Sequence, residues 1–137
     1  MSGIEPLNTP SHASMSTLVG YLEGHSSVQS VDYMSANVVR IDRHNMPALT
    51  ACFVDEYIMG YASVLKALQQ SPGVDAIVNT SAWNQNTTDA KLECANRGVG
   101  LFTFKEFMGA INYEGKKFLE YEAPTDADKS KRKRKFP

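Results

Sequence analysis

The stretch from Asn37 to Tyr57 constrains the fold more than any other part of the chain. Asn37-Val-Val-Arg-Ile-Asp42 and Leu49-Thr-Ala-Cys-Phe-Val-Asp-Glu-Tyr57 are rich in β-branched and aromatic residues, and only the short loop Arg43 to Pro47 separates them. Such residues suit a pleated, half-buried surface, and the Cys-Phe-Val centre of the second run suits a buried strand. Val28 to Met34 alternates weakly and precedes them, with Ser35-Ala-Asn37 as the turn. Three strands therefore follow one another closely near the start of the chain.

The downstream pattern is different. Val64, Leu65 and Leu68 supply the apolar face of a helix from about Ser63 to Gln70, which Pro72-Gly73 ends. Val74 to Asn79 is a short strand, Thr87 caps a helix running to about Asn96, and Gly98 stops it. Val99 to Phe104 is a further strand, and Lys105 to Ile111 a short helix with Phe107, Met108 and Ile111 facing inward. Upstream, Ser16 caps a helix to Gly24 with Leu18, Val19 and Leu22 on one face. The expected order is α-β-β-β-α-β-α-β-α. Three adjacent strands followed by β-α-β predict an α/β fold: a mixed central sheet flanked by helices, with strands 74–79 and 99–104 parallel neighbours.

Residues 1–14 are rich in Ser, Pro, Thr and Gly and are expected to form a flexible arm, with one domain over 15–121 and a disordered basic tail over 122–137. The 137 residues carry a net charge of -1, and that average hides an asymmetry. Lys129, Lys131, Arg132, Lys133, Arg134 and Lys135 hold six of the 14 basic residues, which leaves eight basic against 15 acidic residues elsewhere, a net of -7. An acidic body argues against a broad DNA-binding face and concentrates any phosphate affinity in the tail. No apolar run is long enough for a membrane span, and the N-terminus lacks a secretory pattern, so an intracellular, cytoplasmic protein is expected. The two cysteines, Cys52 and Cys94, read as reduced core thiols.

The second half resembles the C-terminal part of the Mrr-type restriction endonucleases, within the PD-(D/E)xK nuclease-like superfamily. The resemblance rests on Asp75-Ala-Ile-Val-Asn-Thr-Ser81, Thr88-Asp-Ala-Lys-Leu-Glu-Cys-Ala95, Gly100-Leu-Phe-Thr-Phe104 and Glu106-Phe-Met-Gly-Ala-Ile111, and covers roughly 37–112. It implies a restriction-endonuclease-like core. It also implies an acid on one strand and an acid-x-Lys triplet on the next. Asp42 matches the first in kind, and Asp55 or Glu56 the second, but the triplet then ends at Tyr57 or Ile58. Tyr57 is a hydrogen-bond donor rather than a cation, so the site looks degenerate. Lys66, on the following helix, is the candidate replacement.

Asp42, Asp55 and Glu56 are thus the candidate catalytic residues, with Asp42 and Asp55 as magnesium ligands in an active nuclease, since two or three carboxylates hold a hard divalent ion and leave waters for attack. Otherwise they are strand-end carboxylates facing water or pairing with Arg40 or Arg43, and no cofactor is expected. A second candidate is the loop Asn79 to Thr87, which follows a parallel strand and leads to a helix N-terminus. Asn79, Ser81 and Asn84 offer neutral hydrogen-bonding groups there, with Thr80 and Thr87 beside them. Trp83, the single tryptophan, is suited to stacking on a base or anchoring a partner. His12, His25 and His44 form no cluster in sequence, and Cys94 reads as core.

Lys131, Arg132, Lys133, Arg134 and Lys135 are expected to contact nucleic-acid phosphates or an acidic protein surface, and the run resembles a nuclear-import signal for a eukaryotic cell. An unpaired sheet edge would allow a homodimer. The expected function is a non-catalytic, nuclease-like binding protein in a nucleic-acid-associated process. The alternatives are a divalent-metal-dependent DNA or RNA nuclease and a self-associating assembly protein.

Overall fold

The computed structural model describes residues 7–81 and 85–122. It is an α/β fold with a mixed five-stranded sheet flanked by helices. In chain order the elements are α1 (His12–Glu23), β1 (Val28–Tyr33), β2 (Val38–Arg43), β3 (Met46–Val54), β4 (Ile58–Met59), α2 (Tyr61–Gln70), β5 (Ala76–Asn79), β6 (Gln85–Asn86), α3 (Thr88–Asn96), β7 (Gly100–Thr103), α4 (Phe104–Ala110) and α5 (Lys116–Leu119). The main sheet runs β1-β2-β3-β5-β7. The first three strands form an antiparallel meander, and β5 and then β7 add in parallel, as expected for strands joined through helices.

Period-two alternation assigns side chains to the two faces. On one face Val39, Ile41, Ala51, Phe53, Val78 and Phe102 join Met15, Val19 and Leu22 of α1 and Phe107, Ala110 and Ile111 of α4. On the other, Cys52, Val54, Ile77 and Leu101 meet Val64 and Ala67 of α2 and Ala90 and Cys94 of α3. β3 and β5 read as nearly continuous apolar runs because both of their faces are covered. β1, at the sheet edge, is mostly exposed. Phe107 packs edge-on to Phe53 at 6.3 Å, and Phe118 edge-on to Phe102 at 5.2 Å.

Local chemistry sets the element ends. Thr87 accepts from Ala90 N–H to start α3, and the positive φ of Gly98 (76°) follows that helix. Thr103 starts α4 with a full capping box: its hydroxyl accepts from Glu106 N–H, and the Glu106 carboxylate accepts from Thr103 N–H.

Four expectations are corrected. Ser11, not Ser16, caps α1, because its hydroxyl accepts from Ser14 N–H, so the helix starts at His12 inside the expected arm. Leu7 is buried against Cys52 and Val54, so the ordered chain reaches further forward than residue 15. The 43–47 loop contracts to a tight turn with Asn45 at φ 59°, and β3 gains residues from Met46. The small parallel β4–β6 sheet and α5 were not anticipated.

Arg43, only 5% exposed, ties this turn to the end of α4. Its Nε donates to Pro47 O (2.8 Å), and Nη1 donates to Ile111 O (3.0 Å) and Tyr113 O (2.7 Å). A cation at the C-terminal carbonyls of a helix is favoured by the helix dipole. Burial lowers the guanidinium pKa, partly offset by Glu114 and Asp75. Among the described residues no helix is long and apolar enough to cross a membrane.

Candidate functional site at the strand ends

Three parallel strands, β3, β5 and β7, end on the same side of the sheet, where ligands gather in open α/β folds. β3 delivers Asp55 and Glu56, β5 delivers Asn79, Thr80 and Ser81, and β7 delivers Thr103. Asp42 is not among them. Ile41 pairs with Leu49 and Arg43 with Met46, so Asp42 lies at the β2–β3 turn. Asp55 lies at the other end of β3, about seven residues further along, which at strand rise is roughly 20 Å. Two acids at the C-terminal ends of successive antiparallel strands must point to opposite ends of the sheet. The expected meeting of Asp42 and Asp55 around one ion is therefore corrected.

Asp42 instead accepts from Arg40 at 3.2 Å and from Ser30 Oγ at 3.3 Å, the solvated ion-pair role. The residues beside the end of β3 where β2 begins are Asn37 and Val38, neither a carboxylate. Asn37 exchanges hydrogen bonds with the Phe53 backbone, Nδ2 donating to Phe53 O (3.0 Å) and Phe53 N–H donating to Asn37 O (2.8 Å). Lys66, on α2, forms no ion pair with Asp55 or Glu56 among the described residues. Among the described residues no group of three His, Cys, Asp or Glu side chains comes together there either.

Glu56 and Asn79 are held by the backbone. Asn79 is fully buried. Its Oδ1 accepts from Glu56 N–H (3.0 Å), and its Nδ2 donates to Glu56 O (2.8 Å). Asn79 thus clamps the chain leaving β3. The Glu56 carboxylate accepts from Asn8 N–H at 2.7 Å, while Asn8 O accepts from Asp55 N–H at 2.7 Å. Residues 7–10 are thereby strapped across the end of β3. Thr80 Oγ1 donates to Val54 O at 2.9 Å. A hollow of about 380 Å³ remains between Asp55, Thr80, Ser14 and Thr17. Ser81 borders this region, half-buried. Trp83 and Asn84 lie outside the described residues, as do Lys131, Arg132, Lys133, Arg134 and Lys135.

A second hollow of about 360 Å³ lies past the end of β7, lined by Lys91, Glu106, Thr103 and Leu92 among others. Lys91 Nζ donates to Leu101 O (3.0 Å) and Tyr121 O (3.2 Å), sits 3.8 Å from Glu106 and lies 5.0 Å from the Phe102 ring centroid. Sequence reading missed Lys91. The available signal was its place among Ala90 and Cys94 on the inner face of α3. The thiols match expectation: Cys52 and Cys94 are free and buried, and burial pushes both up to about 12.

No protein-family model matches the chain, and neither a curated protein nor a solved structure matches it. The class of protein rests on the fold itself, a mixed five-stranded α/β sheet with helices on both faces.

Proposed function

We propose that this chain is a non-catalytic, nuclease-like binding protein that acts in a nucleic-acid-associated process. One observation carries the reading: the β2–β3 register sends Asp42 and Asp55 to opposite ends of the sheet, so these acids do not share an ion. Three further features support it. An antiparallel three-strand meander extended by two parallel strands is the arrangement expected of a restriction-endonuclease-like core. Glu56, the remaining candidate acid, is engaged in holding the Asn8 strap. The basic run at Lys129 to Lys135 supplies phosphate attraction that needs no metal.

The test is fluorescence anisotropy of labelled single- and double-stranded DNA and RNA with the full chain in EDTA. Metal-independent binding that weakens steeply with salt is expected. No binding to any of the four at low salt would sink the reading.

A second reading, self-association, is favoured by the position of β1 at the sheet edge, beside Tyr33 (48% exposed) and Met34 (62% exposed). Edge pairing of two copies would continue the sheet. Sedimentation velocity across a concentration series separates a monomer from such a dimer.

A further inference from the structure

We infer that two copies of this chain pair antiparallel along β1, with Val31 opposite its own counterpart on a two-fold axis. The inference rests on the self-association reading above and gives it a register.

The sheet has two edges, β1 and β7, and the described residues close only one of them. At β7, Gly100 N–H donates to Asp75 O, so Gly100 and Phe102 turn their backbone groups towards β5, and Leu101 and Thr103 turn theirs outward. Lys91 Nζ donates to Leu101 O (3.0 Å), and Thr103 N–H donates to the Glu106 carboxylate (2.9 Å). Charged side chains placed in this way blunt an edge. β1 is the opposite case. Asn37 O accepts from Phe53 N–H on β3, whereas Val38 O accepts from Met34 N–H, and His44 N–H donates to Ser27 O. Even-numbered residues of β2 therefore face β1, where Arg40 pairs with Asp32 and Asp42 with Ser30. The N–H and C=O groups of Val31 and Tyr33 then point away from the sheet, and among the described residues β1 pairs with β2 alone. No Lys or Pro interrupts Val28–Tyr33, and its bulge lies at its start, between Val28 and Ser30.

Side chains select a second copy. Opposed residues of an antiparallel pair share a face, so odd residues must lie opposite odd ones. Centring the pair on Asp32 sets like charges directly opposite, which is unfavourable. Centring it on Val31 sets Asp32 opposite Ser30 of the second copy. Each row across the joined sheets then reads Arg40, Asp32, Ser30, Asp42, with no like charges adjacent. On the other face Val31 meets Val31, and Tyr33, 48% exposed in one copy, covers Gln29 of the second. α1 lies over this face and leans its bulky Tyr21 away from the edge, towards Phe104 at 6.3 Å, and Gly20 has open space around it. A foreign strand would have to match this row by chance, whereas two-fold symmetry supplies the match in every pair of copies.

The experiment is sedimentation velocity of the full chain from about 1 to about 200 μM, with cross-linking of added-cysteine variants. The interface is small, so a reversible monomer–dimer equilibrium with a Kd on the order of 10–100 μM is expected. Val31→Pro deletes only an outward N–H and suits an edge strand, so it should fold, by circular dichroism, and stay monomeric throughout. Cys52 and Cys94 are free and buried and give little background. Val31→Cys should form a disulfide dimer under mild oxidation. Asp32→Cys should not, because its two copies lie roughly 8 Å apart at Cα, beyond disulfide reach. Val31→Cys decides the question if Val31→Pro does not fold. A monomer at every concentration would overturn both the inference and the self-association reading. A dimer that persists in folded Val31→Pro, or that cross-links at residue 32 and not at 31, would overturn the β1 register and leave self-association standing.

Discussion

Replacing Asn79 by Leu tests the account of the strand-end region through its most buried polar group. Leu keeps the approximate size but removes both amide functions. Glu56 then loses an acceptor for its N–H (3.0 Å) and a donor for its C=O (2.8 Å), next to a side chain with no solvent exposure. A buried backbone group left unpaired costs about 1–3 kcal/mol. Two of them, with some relief by water entering beside Glu56, imply a loss of about 3 kcal/mol. For a domain of this size that corresponds to a fall in Tm of roughly 10 °C. Urea unfolding followed by circular dichroism measures it directly, with a lower midpoint and an unchanged m-value. Thr80→Val is the companion, since it removes a single hydroxyl bond to Val54 O and should cost about 1 kcal/mol. A loss below about 1 kcal/mol for Asn79→Leu would refute the clamp.

Thr103→Ala should cost about 1 kcal/mol by opening the capping box of α4, seen as a lower urea midpoint. Gly100→Ala should destabilise by about 2 kcal/mol or more, because the new Cβ meets the ring of the fully buried Phe102, and a thermal melt reads the effect. Native protein should be inert to thiol reagents at neutral pH and react at both cysteines once unfolded. The burial of Cys52 and Cys94 raises their folded pKa to about 12 from an ordinary value of 9.0, so their contribution to stability is complete below pH 9.0 and is lost as pH rises towards 12. Denaturant midpoints should therefore decline over that window, and less so in a Cys94→Ala variant compared with its own neutral-pH value.

Much of the fold was legible because local signals agreed with the global one. Apolar, β-branched and aromatic runs marked β2, β3, β5 and β7, Thr87 and Gly98 bracketed α3, and the helical spacer between the last two strands implied the parallel pairing that β5 and β7 show. The start of α1 was misplaced because several Ser residues compete as caps; Ser11 caps the helix, which places the buried Met15 in its first turn. β4 and β6, two residues each, pair just past the point where Asn79 clamps the chain leaving β3, and no local pattern encodes that long-range contact.

The candidate site was less legible. Asp42 and Asp55 attracted attention as strand-end acids, yet antiparallel geometry alone separates them, and that step was available from the sequence. The roles of Arg43 and Lys91 were not, since a long cation reads as surface until the carbonyls around it are known.

The most direct test of the central claim is nuclease activity on single- and double-stranded DNA and RNA with magnesium or manganese, run beside an Asp55→Asn control. The account predicts no cleavage by folded protein that still binds nucleic acid in EDTA. Metal-dependent cleavage that disappears in Asp55→Asn would contradict it and make the strand-end acids an active site.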